Sequence, residues 1–122
     1  MFVALAMVHR MPADNFSTEV DRDGDAIVIF VRGEIDIATA ERLRDAIEPH
    51  MGPRQTIILD LSGVDFMDSA CLGVLEQARG TLTEDGGSLM LRNPSKVAHR
   101  LLSIAGLEHL LQVDADDHRD ST

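Results

Sequence analysis

Apolar residues recur along the chain in short runs that predict β-strands. The run at 26–31, AIVIFV, is continuous and rich in β-branched residues, as is typical of a buried strand. The run at 56–61, TIILDL, is nearly as apolar, which suits a central strand covered on both faces. Three shorter runs predict further strands at 16–20, 88–91 and 110–113. The turn-forming residues at 21–25 predict that the first two strands form a hairpin.

Between these runs, apolar residues repeat every three to four positions, which predicts helices. A first helix is predicted over 37–48, capped by Asp36 or Thr39, and a second over about 69–82. A third is predicted to start at Asn93-Pro94 and to end at a Gly106 cap, with Leu107 closing the hydrophobic contact of that cap. The predicted buried stripes of the three helices are Ala40, Leu43 and Ile47; then Cys71, Leu75, Ala78 and Leu82; then Val97, Leu101 and Ile104.

The predicted element order is β-β-α-β-α-β-α-β, which indicates one α/β domain. After the opening hairpin, strands and helices alternate, so the sheet is expected to be mixed but mostly parallel, with helices packed on it. Gly33-Glu34 and Ser62-Gly63 are expected to end the two central strands. The domain is predicted to span residues 14–113. Residues 1–13 are then an N-terminal extension and 114–122 an acidic tail, both expected to be flexible.

Charge narrows the classes of partner that this domain can bind. The chain of 122 residues carries a formal net charge of -10. Such a chain lacks the basic stripe of nucleic-acid-binding proteins and is not suited to an anionic membrane, whereas it suits a partner with a basic surface. Its one cysteine allows no internal disulfide, which fits the reducing cytoplasm. The apolar stretch at 2–8 is too short to span a membrane.

Three motifs resemble the STAS domains of bacterial anti-sigma-factor antagonists. The first reads VDFMDSACLGVL at 64–75, where a strand ends, an Asp-Ser loop follows and a helix begins. The second reads GEID at 33–36 and continues with ATA at 38–40. The third reads SKVAHRLL at 95–102, followed by IAGL at 104–107. Together they are spread across most of residues 26–113, in the order of the elements predicted above, so the fold implied by the resemblance is a STAS-like single domain.

The resemblance implies a regulator that is not an enzyme and needs neither cofactor nor metal. An antagonist of this family binds an anti-sigma serine kinase and thereby releases a sigma factor, which regulates transcription, including stress responses. The kinase then phosphorylates the antagonist, which weakens the complex, and a phosphatase restores it. By motif match, Ser69 is the phosphorylated serine. The partner-binding residues implied are Asp36, Thr39, Asp68, Ser69, Ala70, Cys71 and Leu72.

The motif departs from the common family pattern at Ala70 and Cys71, where a second serine and then a glycine are usual. A lost hydroxyl removes a possible loop hydrogen bond, and a β-carbon at Cys71 can hinder close approach of the kinase. The departure therefore leaves a second hypothesis open, in which the domain only docks a partner and Ser69 serves as a helix cap.

Other chemistry-bearing residues give weaker hypotheses. Asp60, inside an apolar run, suggests a receiver-like domain phosphorylated on that carboxylate. A receiver also needs an acidic pair for Mg²⁺ and a late lysine; Asp14 precedes the first strand, and Lys96 falls within the last helix. Cys71, close to a helix start, allows a redox hypothesis, but its place on an apolar stripe favours the core. Ser69 lacks the flanking glycines of a hydrolase nucleophile, and the histidines show no metal-ligand spacing.

Overall fold

The computed structural model describes residues 15–111, which contain a mixed four-stranded sheet in the order β1-β2-β3-β4. The strands are β1 (Phe16–Asp23), β2 (Ala26–Ile35), β3 (Thr56–Met67) and β4 (Ser88–Arg92). The β1–β2 pair is antiparallel, whereas the β2–β3 and β3–β4 pairs are parallel. This arrangement confirms the predicted α/β fold with an opening hairpin and a mostly parallel sheet.

Two helices connect the parallel strands, a third follows the last strand, and each buries an apolar face. They are α1 (Ile37–Ile47), α2 (Ser69–Glu84) and α3 (Lys96–Ala105), with short 3₁₀ helices at Glu48–His50 and Glu108–Leu110. The stripes predicted for the first two helices are buried as expected, and α1 packs against α2. A single apolar cluster joins them to the central strands.

Three strands extend at least three residues further than the sequence predicts. β1 runs past Val20 to Asp23 and pairs with β2 residue by residue up to a two-residue turn at Gly24 and Asp25, where Gly24 has a φ of +65°. Charged residues are tolerated in β1 because it is an edge strand with mostly exposed side chains. The prediction that polar residues 21–25 all form a turn was therefore wrong.

The two central strands also continue through the glycines that were expected to end them. β2 passes Gly33 and β3 passes Ser62 and Gly63, and each passage shifts the β2–β3 register as a β-bulge does. A bulge absorbs the extra residues and bends the strand while the pairing resumes, so β2 reaches Ile35 and β3 reaches Met67. These extensions carry the chain to the candidate site.

The third helix differs from its prediction at its start and in its buried face. Ser95, not Asn93, is the N-cap, and its hydroxyl accepts a hydrogen bond from the Ala98 N–H at 3.2 Å. Val97 and Ile104 are exposed, because the helix turns its Ala98–Leu102 side to the core instead. The C-terminal cap is as predicted: Gly106 has a φ of +77°, and the Leu107 N–H donates to the Leu102 carbonyl at 2.9 Å.

The last predicted strand, 110–113, is reduced to one bridge in the described part of the chain. Glu108–Leu110 form a 3₁₀ helix, and Leu111 alone makes a parallel bridge to Leu91 of β4. Residues 112 and 113, the N-terminal extension 1–13 and the acidic tail 114–122 lie outside the described residues, as do the predicted domain limits. Within 15–111, no helix is long and apolar enough to cross a membrane.

Candidate functional site

The candidate site forms where the parallel strands β2 and β3 end side by side. The register pairs Ile35 with Met67, and the N–H of Asp68 donates to the Ile35 carbonyl at 3.1 Å. Each strand leads directly into a helix, because Asp36 caps α1 and Asp68 caps α2. The same edge of the sheet therefore brings together two loops that lie 32 residues apart in the sequence.

A reciprocal capping box holds the first of these loops. The Asp36 Oδ1 accepts from the Thr39 N–H at 3.0 Å, and the Asp36 N–H donates to the Thr39 Oγ1 at 2.9 Å. The Thr39 hydroxyl also donates a hydrogen bond to the Glu34 carbonyl oxygen at 2.8 Å. Thr39 is itself buried, so it positions this loop without being accessible to a partner.

Ser69 occupies the first turn of α2 without capping it. The Oδ1 of Asp68 accepts from the Ala70 N–H at 2.9 Å, and that bond is the side-chain cap of the helix. The Ser69 side chain is exposed and makes no hydrogen bond within residues 15–111. A free hydroxyl thus stands at a helix N-terminus, where the positive end of the helix dipole favours an anion. The idea that Ser69 is the helix cap is wrong.

The three residues that follow Ser69 are all at least half-buried. Ala70 and Leu72 are half-buried, whereas Cys71 is completely buried. Burial, with a smaller contribution from the nearby Asp68 carboxylate, raises the pKa of the Cys71 thiol to about 12. The thiol is therefore protonated at neutral pH, and both its burial and its pKa argue against the redox hypothesis.

Two large apolar side chains that the sequence analysis did not assign to the site are exposed on the elements that lead to and from its two loops. Ile37, the first residue of α1, is 79% exposed, and Phe66, near the end of β3, is 46% exposed. Ile37 adjoins the GEID motif and Phe66 lies within the VDFMDSACLGVL motif. The available signal was their phase: Ile37 lies outside the buried stripe of α1, and Phe66 alternates with the buried residue Met67.

Asp60 lies in the middle of β3, well before the candidate site, and is engaged in a polar network. Its Oδ1 accepts from the Ser62 N–H at 3.0 Å and from the Ser62 hydroxyl at 2.7 Å. Its Oδ2 accepts from the Arg92 Nε and the Asn93 Nδ2, each at 3.1 Å. Arg92 also lies over the Phe30 ring, 5.7 Å from its centroid.

This network determines the ionisation of Asp60. Burial acts to raise the pKa of the carboxyl, but the hydrogen bonds from Ser62, Arg92 and Asn93 outweigh it and hold the pKa below its usual value. Both carboxylate oxygens are occupied, which indicates a structural role and argues against a receiver-like phospho-acceptor. Among residues 15–111, no group of three or more His, Cys, Asp or Glu side chains is placed to hold a metal ion.

Comparison with known proteins gives consistent matches over most of the chain. The family model described as STAS domain matches residues 17–119. The anti-sigma-B factor antagonist of Listeria monocytogenes is 37% identical over 101 residues, which cover 81% of this chain and 89% of that protein. The crystal structure of an anti-sigma factor antagonist from Mycobacterium paratuberculosis superposes with a TM-score of 0.73 at 26% identity, over 90% of this chain and 96% of that one.

A further solved structure is the Bacillus cell fate determinant SpoIIAA in its phosphorylated form. It has a TM-score of 0.63 and 23% identity, and the match covers 86% of this chain and 98% of that chain. At 23% identity, this structural similarity shows a shared fold and nothing more.

Proposed function

Because the chain belongs to the STAS domain family, we propose that it is an anti-sigma-factor antagonist, which binds an anti-sigma serine kinase in the cytoplasm and is switched off by phosphorylation of Ser69. The observation that carries the proposal is the Ser69 hydroxyl, which is exposed at the start of α2 and unpaired within residues 15–111. The names of the relatives support the antagonist role, and the SpoIIAA of Bacillus, which shares the fold, has been solved in a phosphorylated form.

The proposed reaction needs only an accessible hydroxyl on this chain. The kinase transfers the γ-phosphoryl group of ATP to the Ser69 Oγ; the bond to ADP breaks, and the hydroxyl proton passes to a base of the kinase. A phosphatase later hydrolyses the ester with water and returns the free serine. This chain supplies no catalytic residue to either step, in keeping with a regulator that is not an enzyme.

Phosphorylation is expected to weaken the complex through charge and desolvation. The phosphate brings nearly two negative charges to a position directly beside Asp68 and close to the Asp36 loop. In a complex, the dianion must lose water against the partner while it lies next to these carboxylates. A loss of about 2.7 kcal/mol corresponds to a roughly 100-fold weaker complex, which is sufficient for a switch.

The unusual residues Ala70 and Cys71 are compatible with this role. The contribution of Ala70 to the helix start is its backbone N–H, which donates to the Asp68 carboxylate, so no second hydroxyl is needed there. The Cys71 side chain points into the core and leaves the surface beside Ser69 uncovered. The alternative of a docking module without phosphorylation rests on this departure from the family pattern, and its assignment of Ser69 as the helix cap is not met, because Asp68 is the cap.

Phosphate uptake tests the proposed site. Purified anti-sigma factors with an ATP-binding kinase domain, taken from the source organism, are incubated with ATP and the antagonist, and the intact mass is measured. Wild type is expected to gain one phosphate, whereas Ser69→Ala gains none and still binds the kinase, because only the acceptor oxygen is removed.

The matched control is Ser17→Ala, which removes an exposed hydroxyl from the edge strand β1 and should behave as wild type. Phosphate on Ser69→Ala at the wild-type level would contradict the site. If none of these kinases transfers phosphate to wild type, the proposed switch itself is contradicted.

A further inference from the structure

Two large apolar side chains are exposed on either side of the Ser69 loop. Ile37 is 79% exposed and Phe66 is 46% exposed, although Ile35 and Met67 close beside them are buried. Neither exposed side chain belongs to the core cluster. Exposed apolar groups that lie together, unlike scattered single ones, mark surfaces that bind a partner.

The backbone places the two residues near each other. The parallel register sets Phe66 beside Glu34 and Met67 beside Ile35, and the Asp68 N–H bonds the Ile35 carbonyl. Ile37 lies two residues beyond Ile35, and Ser69 lies three residues beyond Phe66. The loop that carries Ser69 therefore starts between the strand end that bears Phe66 and the helix start that bears Ile37.

The charged residues in the two segments that carry this pair are acidic, and the neighbouring basic residue is Arg32, which lines a groove with Gly63 and Asp65. The two segments 33–38 and 64–70 contain Glu34, Asp36, Asp65 and Asp68 and have no lysine, arginine or histidine. The carboxylates of Asp36 and Asp68 cap helices, and Asp65 is exposed. A partner surface that fits must combine an apolar depression with a basic border, since like charges facing each other across an interface are unfavourable.

The exposed apolar residues of α3 lie in a different electrostatic setting. Val97 and Ile104 are on α3, whose charged side chains, Lys96 and Arg100, are basic. Val20, on the edge strand β1, also has acidic neighbours, but it is a single exposed apolar residue and has no large exposed apolar partner beside it in that strand. The Ser69 surface thus combines two large exposed apolar side chains with a border in which acidic residues outnumber the one neighbouring arginine.

We propose that Ile37 and Phe66 are the apolar anchors by which this protein docks on the anti-sigma factor, through a partner surface with an apolar depression bordered by Lys or Arg. The inference rests on the proposed function and adds the contact residues. It also accounts for the direction of the switch. A phosphate on Ser69 lies next to the Asp68 carboxylate and near these apolar anchors, so docking must strip water from a dianion beside a like charge, which opposes binding.

Truncation of the anchors tests the docking surface. The dissociation constants of Ile37→Ala and Phe66→Ala are measured by calorimetric titration against the purified anti-sigma factor that binds wild type. Each variant is expected to bind about tenfold more weakly or worse, as is usual for apolar anchors at the centre of an interface. Ile37 is so exposed that its truncation removes little packing, so thermal unfolding of that variant should match wild type even if Phe66→Ala is destabilised.

Ile104→Ala is the matched control, because Ile104 is also a helical isoleucine and is 76% exposed. It should bind as wild type does. Wild-type affinity of Ile37→Ala would overturn the inference while leaving the proposed function intact. If wild type binds none of the anti-sigma factors, the proposed function is refuted, and the docking surface with it.

The acidic border has its own test. Asp65→Lys is expected to slow association with the anti-sigma factor, measured by stopped flow at low salt, because it removes complementary charge at the border. Glu84→Lys is the control, since Glu84 ends α2 about 22 Å along the helix from Ser69. Equal or faster association of Asp65→Lys would overturn the assignment of a basic partner.

Discussion

Replacement of Asp60 by alanine is expected to lower the free energy of unfolding by about 3 kcal/mol. The carboxylate accepts four hydrogen bonds, from Ser62, Arg92 and Asn93, and its side chain is only 5% exposed. Its removal leaves the Arg92 guanidinium and the Asn93 amide without their partner. This loss of stability is at the low end of the range for breaking a buried ion pair, because 27% of the Arg92 side chain is exposed and can be hydrated once Asp60 is removed.

The effect of Asp60 should depend on pH with a defined sign. Because its pKa is lower in the folded than in the unfolded protein, ionised Asp60 stabilises the fold above its unfolded pKa, near 3.8. That contribution is lost as the pH falls through the lower folded-state pKa. Urea unfolding of wild type and Asp60→Asn should therefore differ more at pH 7 than at pH 2.

Asp65→Ala is the control for this prediction, because Asp65 is an exposed acid on the same strand. Its free energy of unfolding is expected to stay within about 0.5 kcal/mol of wild type. A difference between wild type and Asp60→Asn that stays constant from pH 7 to pH 2 would contradict the stabilising role of the ionised carboxylate.

Replacement of Gly33 by alanine is expected to destabilise the protein by about 3–5 kcal/mol. Gly33 has a φ of +96°, which alanine adopts only with strain, and a β-carbon there would lie 1.7 Å from the Asn15 carbonyl oxygen. That oxygen accepts from the Glu34 N–H at 2.7 Å, so the clash would also disturb the bulge that leads to Asp36. The free energy of unfolding in urea measures the loss.

Gly73→Ala provides the matched control. Gly73 lies within α2, and a β-carbon added there would have no neighbour within 4 Å. Alanine should stabilise the helix by about 0.5–1 kcal/mol, since it has less conformational entropy to lose. A Gly33→Ala protein as stable as wild type would show that the bulge relaxes without cost, and the structural role assigned to Gly33 in the GEID motif would be wrong.

The sequence predicted best those features that depend on neighbours within a few positions. The cap at Asp36 and the Gly106 C-terminal cap need only residues three to five positions away, and both are present. The start of α2 at Ser69 was also predicted, but the side chain that caps it belongs to the preceding residue, Asp68. Two consecutive residues that can both cap are not distinguished by pattern alone.

Features set by distant contacts were missed. The continuation of β2 through Gly33 depends on the carbonyl of Asn15, the residue just before β1. The role of Asp60 depends on Arg92 and Asn93, more than 30 residues later. The third helix has apolar residues on two faces, and the pattern does not say that Leu102 packs inward while Ile104 faces outward.

The central claim, that phosphate on Ser69 weakens the antagonist complex, is tested most directly by one titration. Unphosphorylated protein and protein phosphorylated once on Ser69 are titrated calorimetrically with the same purified anti-sigma kinase. We expect a dissociation constant about 100-fold higher for the phosphorylated form, a difference of about 2.7 kcal/mol. Equal dissociation constants for the two forms would contradict the claim.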